Sequence, residues 1–257
     1  MTQHRCIRVE REGDAATITM DLPARRNALS LEHLRELLDA FGAVGESDAR
    51  GIVLAANGPV FSAGHDFADM AGADLGAMRD LLWTCTELMQ TMQSVPQVVI
   101  ARVHALATAA GCQLVATCDL AVAATSAGFA VPGGKGGWFC TTPMVAVGRA
   151  VSRKRALEMA LTGDVIDAAT ALEWGLVNRV VPEADLDAAV HDLLARATRG
   201  SAASKALGKR AFYTQIGMDQ PQAYAYAVEV MAAASQTPAA REGVAAFLEK
   251  RHPTWPE

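Results

Sequence analysis

The stretch VVIARVHALATAAGCQLVATCD, residues 98–119, decides the fold. It begins with VVIARV, a run of mainly β-branched residues that predicts a strand covered on both faces. The following residues, ATAAG, have almost no side-chain bulk, so another group can approach their main chain closely. The apolar residues of QLVATC then recur at helical spacing, and the first turn of a helix offers free N–H groups to an anion. Taken alone, the stretch favours tight packing of a strand against a helix, with an oxyanion site as the alternative.

The residues before this stretch alternate strand, loop and helix. Residues 7–10 and 16–20 alternate apolar and polar positions around the turn EGD, which predicts a hairpin. Ser30 is placed to cap a helix that runs through Phe41, and residues 51–55, GIVLA, predict a second buried strand. This order predicts an α/β protein with a parallel sheet, whose ligands bind beyond the carboxyl ends of the strands.

The sequence FSAGHD, residues 61–66, repeats the pattern of small residues after that second strand. Gly64 is suited to a positive φ, and Asp66 is suited to bonding back to the turn or capping the next helix. Two such turns at the ends of two strands would aim two main-chain N–H groups at one point.

The composition is that of a globular protein. Of 257 residues, 51% are hydrophobic and 20% are charged, which allows a sizeable core. The net charge of −5, with scattered basic residues, argues against nucleic acid as a partner. No apolar run approaches the roughly 20 residues of a membrane helix, and MTQHRCIRVE lacks the apolar core of a signal peptide. We therefore expect no membrane partner and a cytoplasmic location.

The cysteines show neither CxxC spacing nor pairing with histidines at metal-ligand spacing. The sequence therefore predicts no metal site and no disulfide framework. We expect five reduced thiols, at Cys6, Cys85, Cys112, Cys118 and Cys140.

Several stretches resemble the enoyl-CoA hydratase/isomerase (crotonase) superfamily. FSAGHDFADM is similar to its first oxyanion-hole segment, and residues 99–132 are similar to its second segment and the strand beyond. ALEMALTGDVIDAATALEWGLVNRVVP and REGVAAFLEKR resemble the segment after the core and the C-terminal helix. Within the superfamily, GGWFCTTP and the ending KRHPTW resemble one subtype. The resemblance runs in order from about residue 7 to residue 251.

This resemblance implies a fold and an assembly. The fold is the crotonase (ClpP-like) fold, of class α/β, with a repeated ββα spiral core over residues 1–198. A C-terminal helical lobe over residues 199–257 would pack in trimers, often paired as hexamers. The small residues of this region permit close helix contacts.

The resemblance also implies an acyl-CoA substrate, with no cofactor besides the coenzyme A of the thioester. The main-chain N–H groups of His65 and Ala110 would hold the thioester oxygen as it gains the charge of an enolate. Coenzyme A would lie along residues that include arginines and a lysine, the cations that phosphates need. These residues are Arg25, Arg26, Ala28, Ala63, His65, Asp66, Phe67, Phe247 and Lys250.

The departures from the family pattern fall at the catalytic glutamates. The two glutamates that activate water in hydratases of the superfamily correspond to Gln113 and Gly133. An amide cannot accept a proton near neutral pH, and glycine has no side chain. Hydration by the usual mechanism is therefore doubtful, although Gln113 is placed to orient a water molecule or a polar substrate group.

Other side chains are candidates for proton transfer or nucleophilic attack. Cys140 follows a Gly-rich turn and resembles the position of an aspartate nucleophile in a dehalogenase relative. A helix N-terminus could activate its thiol, but the residue type favours a packed, buried cysteine, because free cysteine is among the most buried residue types. The His65 side chain, Asp69, Glu87 and Lys135 are further candidates. Three functions stay open: an enolate-forming enzyme of the hydratase/isomerase group, which we favour, a non-catalytic acyl-CoA-binding protein, and a thioester hydrolase or transferase that uses Cys140.

Overall fold

A computed structural model describes residues 4–256 of the chain. Its main sheet has six strands in the order β1-β2-β3-β4-β6-β9, and a smaller sheet has the order β5-β7-β8. The strands are β1 (Ile7–Glu12), β2 (Ala15–Met20), β3 (Gly51–Ala56), β4 (Val98–Val103), β5 (Ala107–Thr108), β6 (Leu120–Ala124), β7 (Gly128–Ala130), β8 (Ile166–Asp167) and β9 (Arg179–Val181). The main sheet is parallel except for the β1–β2 hairpin, so both the hairpin and the parallel sheet are confirmed.

Eleven α-helices are described between and after these strands. They are α1 (Leu31–Gly45), α2 (Phe67–Met70), α3 (Leu75–Ser94), α4 (Ala110–Thr117), α5 (Pro143–Ala150), α6 (Arg153–Thr162), α7 (Ala168–Trp174), α8 (Leu186–Thr198), α9 (Ala202–Gln215), α10 (Gln220–Ala234) and α11 (Pro238–Leu248). Ser30 caps α1 as the sequence predicts, because its hydroxyl accepts a hydrogen bond from the His33 N–H at 3.1 Å. None of these helices is both long enough and apolar enough to cross a membrane, within residues 4–256.

The main sheet is covered on both faces, as the apolar strand sequences predict. Successive residues of β4 face opposite sides of the sheet, so Val99 and Ile100 belong to two different apolar clusters. One cluster fills the space between the sheet and the helices that include α1, α3 and α4. The other packs under α8 through Leu186, Val190 and Leu194. Because β3 and β4 are parallel, their carboxyl ends lie at one edge of the sheet, from which the chain continues to the first small-residue turn and, through β5, to the second.

The C-terminal helices are joined to the core by a buried ion pair. Lys209 of α9 lies 2.7 Å from a carboxylate oxygen of Asp119, which precedes β6. Tyr213 donates a hydrogen bond to the other oxygen at 2.7 Å, and Lys209 also donates to the main-chain oxygens of Met92 and Gln97. The division between a core over residues 1–198 and a trimerisation lobe over residues 199–257 stays a prediction.

Candidate active site

The first turn of the site connects β3 to α2. Ser62 pairs with Ala107 of β5, and His65 pairs with Leu29, so both ends of the turn are fixed by parallel bridges. Gly64 has a φ of +83°, which confirms the predicted positive value. Asp66 caps α2 by accepting a hydrogen bond from the Ala68 N–H at 2.9 Å, as the sequence also predicts.

The second turn connects β5 to α4. Ala109 precedes the helix with a φ of +52°, a conformation that a residue with a side chain adopts only at a cost of about 1–3 kcal/mol. Its N–H donates to the Ala130 oxygen at 2.9 Å, which helps to hold this conformation. The helix then begins at Ala110, whose N–H belongs to the unpaired first turn.

The two turns are in contact with each other. A Cβ at Gly64 would lie 3.1 Å from the Ala110 nitrogen and 2.8 Å from the Ala109 Cβ, so only glycine fits there. A Cβ at Gly111 would likewise lie 2.7 Å from the Ser62 Cβ. In the described part of the chain, no group accepts a hydrogen bond from the N–H of His65 or Ala110. The two turns therefore lie in contact, and the prediction that their N–H groups point at one position stays a prediction.

A buried asparagine, which the sequence analysis did not single out, fixes the loop before α1. Asn27 is fully buried with a φ of +48°, a conformation in which asparagine is enriched. Its side-chain oxygen accepts a hydrogen bond from the Leu22 N–H at 2.9 Å. Its amide donates to three main-chain oxygens in the segment before the first turn, those of Asn57, Val60 and Phe61. A positive φ at a non-glycine residue is not visible in the sequence.

Ser62 connects this loop to the first turn. Its hydroxyl donates to the Asn27 carbonyl at 2.8 Å and accepts a hydrogen bond from the Gly64 N–H at 3.2 Å. Its main-chain oxygen accepts a hydrogen bond from the Thr108 N–H, just before the second turn. The loop and both turns therefore meet at one fully buried serine.

The structure brings together the residues predicted to hold coenzyme A near this site. Arg25 forms an ion pair with Asp66 at 2.5 Å, and the Ala63 N–H donates to the Arg26 oxygen at 3.0 Å. Ala28 lies in the same loop, where its oxygen contacts the His33 ring at 3.0 Å. The remaining predicted residue of this group, Phe67, is 76% exposed at the start of α2.

Phe247 and Lys250 lie elsewhere, in and just after α11. Phe247 is 82% exposed, and Lys250 is exposed with a φ of +54°. Helix α11 packs on α9, and no hydrogen bond or ion pair among residues 4–256 connects these two residues to the turns. Their contact with the nucleotide stays a prediction, which a neighbouring subunit would have to satisfy.

The position predicted to correspond to the first hydratase glutamate is occupied by a buried amide. Gln113 lies in the first turn of α4 and is 4% exposed. Its side-chain oxygen accepts a weak contact from the Cys85 sulfur at 4.0 Å. Burial raises the pKa of the Cys85 thiol to about 12, so this neighbour does not supply a base near neutral pH.

The position predicted to correspond to the second glutamate has no room for a side chain. A Cβ at Gly133 would overlap the Trp138 carbonyl oxygen and lie 2.7 Å from the Cys140 sulfur. The Gly133 N–H donates to that sulfur at 3.3 Å. The conformation of this loop therefore requires glycine at position 133. The absence of a glutamate there reflects the shape of the whole loop rather than a change at a single residue.

Cys140 does not have the character of an activated nucleophile. It is 8% exposed, and burial raises the pKa of its thiol, an effect that the hydrogen bond from the Gly133 N–H opposes only in part. The structure therefore favours the alternative of a packed, buried cysteine over activation by the N-terminus of α5. All five cysteines are free, as predicted.

The other candidates for proton transfer differ in their surroundings. Lys135 pairs with Asp164 at 2.6 Å, and Asp69 accepts a hydrogen bond from the Leu31 N–H at 2.8 Å. Glu87 is exposed on α3. Both ring nitrogens of His65 are buried, and burial lowers the pKa of this ring below 6.5, an effect that a hydrogen bond to the Leu29 main chain opposes in part.

A cluster that resembles a metal site lies outside this region. Ligand atoms of Cys6, Glu32 and Glu36 lie within 4.8 Å of one another. However, the Glu36 carboxylate already accepts hydrogen bonds from the main-chain N–H groups of Arg5 and Cys6. It therefore serves to fix the N-terminal strand to α1.

The family model described as enoyl-CoA hydratase/isomerase matches residues 10–257. The chain belongs to this family. It is 43% identical to the enoyl-CoA hydratase domain-containing protein 3, mitochondrial, of Rattus norvegicus, over 93% of this chain and 80% of that protein. A crystal structure of an enoyl-CoA hydratase from Mycobacterium smegmatis is 45% identical with a TM-score of 0.94, covering 98% of this chain and 99% of that one. The human enoyl-CoA hydratase domain-containing protein 3 is 40% identical with a TM-score of 0.94, covering 98% and 100%.

These similarities confirm the crotonase fold of this hydratase/isomerase family member. They also confirm the subtype that GGWFCTTP and KRHPTW resemble, because the rat and human proteins are both of the domain-containing protein 3 type. The prediction of a cytoplasmic location is contradicted, since the rat, mouse and human relatives are named mitochondrial. The prediction rested on the lack of an apolar signal-peptide core. Such a core marks secreted proteins, whereas mitochondrial transit peptides are amphipathic and rich in arginine and serine.

Proposed function

We propose that this family member is an acyl-CoA enzyme that stabilises a thioester enolate between the main-chain N–H groups of His65 and Ala110. The observation that carries the proposal is the contact between the two turns, which leaves both N–H groups without an acceptor in the described chain. Removing a proton beside a thioester carbonyl places negative charge on its oxygen, and one preorganised donor typically stabilises that charge by about 3–4 kcal/mol. The reaction belongs to fatty acid or related acyl-CoA metabolism.

Coenzyme A enters this proposal only as part of the substrate, and no other cofactor is required. The loop of Arg25, Arg26 and Ala28 is joined to the first turn by an ion pair and a hydrogen bond. Exposed guanidinium groups at this edge suit the phosphates of the nucleotide. When the two N–H groups hold the thioester, the nucleotide of the same substrate would therefore lie along this loop.

The proposal includes assembly into a homotrimer or a dimer of trimers. The C-terminal helices expose many large apolar side chains, and soluble monomers rarely expose large apolar patches. These side chains include Phe212, Ile216, Tyr224, Val228, Met231, Val244, Phe247 and Leu248. Such an assembly would give Phe247 and Lys250 a route to the nucleotide of a neighbouring subunit.

A non-catalytic acyl-CoA-binding protein is the second candidate. Gln113 and Gly133 favour it, because they remove both carboxylates of the usual hydratase mechanism. A thioester hydrolase or transferase that uses Cys140 is a third function, which the raised pKa of the thiol opposes. Loss of the conjugated absorbance of crotonyl-CoA distinguishes an enzyme from a binder. An acyl adduct that disappears in Cys140→Ala would establish the third function.

Infrared spectroscopy of bound butyryl-CoA labelled with ¹³C at the carbonyl tests the oxyanion site without requiring turnover. We expect a lower carbonyl stretching frequency in the complex than in water. Gly64→Ala should remove this shift, because its methyl group would meet the Ala110 nitrogen at 3.1 Å. Gly42→Ala, which meets no atom within 4 Å, is the matched control. A ligand that binds with an unshifted carbonyl would contradict the proposal.

A further inference from the structure

The side-chain amide of Gln113 has one end in contact with a neighbour and one end free. Gln113 is 4% exposed, and its side-chain oxygen faces the Cys85 sulfur at 4.0 Å. In the described part of the chain, its side-chain nitrogen has no hydrogen-bond partner. That nitrogen is not among the fully buried atoms that lack a partner, so part of its surface stays accessible. Most polar atoms of buried residues are already paired, so a free amide nitrogen here is available to a ligand.

The neighbouring thiol determines which end of the amide is free. Burial raises the pKa of Cys85 to about 12, so its sulfur keeps its proton near neutral pH and acts as a donor. The oxygen is the end of the Gln113 amide that accepts hydrogen bonds, and the nitrogen is the end that donates them. With the oxygen on the thiol, the nitrogen faces away from Cys85 and presents N–H groups.

The free amide lies beside one of the two proposed oxyanion donors. Gln113 follows Ala110 by three residues on α4, so the two residues share a helix face, with Cβ atoms about 5–6 Å apart. Side chains on a helix tilt towards its N-terminus, which brings the Gln113 side chain back over the first turn. That turn carries the unpaired N–H of Ala110. A ligand with one oxygen on this N–H would therefore meet the Gln113 amide with its neighbouring atoms.

The side chains around the first turn are better suited to donate hydrogen bonds to a substrate than to remove a proton from it. Gln113 donates where a carboxylate would accept. The carboxylates that follow the first turn are already used, because Asp66 pairs with Arg25 and Asp69 accepts a hydrogen bond from a main-chain N–H. A thioester with a carbonyl group at C3 needs no strong base. It loses its C2 proton more readily than a simple acyl thioester does, since two carbonyl oxygens share the resulting charge.

We propose that the site takes 3-oxoacyl thioesters of coenzyme A, and that the Gln113 amide donates a hydrogen bond to the C3 oxygen. This inference rests on the proposed oxyanion site. The C2–H bond breaks, its proton passes to water, and its electron pair spreads over two oxygens. The main-chain N–H groups of His65 and Ala110 hold the thioester oxygen, and the Gln113 amide holds the C3 oxygen. Return of a proton from water to C2 restores the 3-oxoacyl thioester.

Calorimetric titration with acetoacetyl-CoA and butyryl-CoA tests the proposal, because the two thioesters have the same carbon chain with and without the C3 oxygen. We expect the wild-type protein to bind acetoacetyl-CoA about 10-fold more tightly, the effect of one hydrogen bond from a largely buried donor. Gln113→Leu should remove this preference and leave the affinity for butyryl-CoA unchanged. The near-ultraviolet enolate band of acetoacetyl-CoA should grow on binding to wild-type protein and less on binding to Gln113→Leu. Gln90→Leu, at an exposed position of α3, is the matched control.

Gln113→Glu is a second variant, which keeps the shape of the side chain but places carboxylate oxygens against the C3 oxygen. Loss of the preference in both variants, with the melting temperature and the butyryl-CoA affinity retained, supports the proposal. A wild-type protein that binds the two thioesters equally would overturn it, as would a preference that persists in both variants. If the bound butyryl-CoA carbonyl still shows its infrared shift, only this inference fails. Absence of that shift in wild-type protein would overturn the proposed oxyanion site as well.

Discussion

Of the two positions that the resemblance assigns to the hydratase glutamates, Gly133 accommodates a glutamate less readily than Gln113 does. Glutamate at position 113 exchanges an amide for a carboxylate of the same shape, whereas any side chain at position 133 overlaps the Trp138 carbonyl. We predict that Gly133→Glu loses about 1–3 kcal/mol of stability or more, because the loop must open. Urea unfolding measures this loss, with the exposed Gly148→Glu of α5 as the control. A Gly133→Glu protein of wild-type stability would contradict the steric argument.

At the residue scale, Ser62 holds both the loop proposed to bind coenzyme A and the first turn of the proposed oxyanion site. Ser62→Ala removes the hydroxyl that connects the Asn27 carbonyl to the Gly64 N–H, and each lost buried hydrogen bond costs about 1–3 kcal/mol. We predict weaker binding of coenzyme A, by calorimetry, together with a smaller infrared shift of the bound thioester carbonyl. Ser201→Ala removes a buried hydroxyl that caps α9 and should change neither quantity. Equal effects of the two variants would refute this role of Ser62.

The sequence predicted the turns better than the residues that hold them. The small residues of FSAGHD and ATAAGCQ form local patterns that can be recognised within a few positions, so the turns at Gly64 and Ala110 are predicted from the sequence. The hydrogen bonds of Asn27 reach residues 30 or more positions away, and its positive φ has no sequence signal. The clash at Gly133 depends on a loop that folds back on itself. Such features become visible only when distant segments are placed together.

At the scale of elements, Lys209 fastens α9 to the core. The ion pair with Asp119 is largely buried, with 10% and 15% of the two side chains exposed. Lys209→Met leaves the Asp119 carboxylate without its cation, which typically costs about 3–5 kcal/mol. We predict a loss of this size in denaturant unfolding. Arg210→Met, at the neighbouring exposed position, should lose little. A loss below 1 kcal/mol for Lys209→Met would contradict the anchoring role.

The tail after α11 is held by Glu242, which explains part of the KRHPTW sequence. Arg251 donates to both oxygens of Glu242, the Thr254 N–H donates to one, and Trp255 lies over Gly243. The Arg251 guanidinium lowers the pKa of Glu242 to about 2. The clamp therefore contributes stability above about pH 4.5 and loses it as pH falls towards 2.

We predict that Glu242→Gln abolishes this pH dependence and releases the tail at neutral pH. Hydrogen–deuterium exchange of the C-terminal peptide measures the release, with the exposed Glu229→Gln of α10 as the control. Equal protection of the tail in wild-type and Glu242→Gln proteins would show that the clamp does not hold it.

At the scale of the whole molecule, the exposed apolar side chains of the C-terminal helices are the basis of the proposed assembly. Ile216 is 55% exposed in a lobe that also exposes Phe212 and Tyr224. We predict that Ile216→Asp shifts a trimer or hexamer towards monomer in size-exclusion chromatography with light scattering, because a charge is costly in an apolar interface. Gln222→Asp, at an exposed polar position of α10, is the control. A wild-type protein that elutes as a monomer would contradict the proposed assembly.

The hydrogen bonds of Ser62 connect the loop where the nucleotide of coenzyme A would bind to the turn where negative charge would develop on the thioester oxygen. Free energy from binding the nucleotide part of the substrate can therefore be used to order the main-chain N–H donors. In this way an enzyme uses contacts remote from the reacting atoms to raise the turnover rate rather than the affinity for substrate. A thioester of N-acetylcysteamine has the same reacting carbon but lacks the nucleotide of coenzyme A. For such a molecule, saturation would not restore the turnover of the full substrate, since the donors would stay less ordered even when every site was filled.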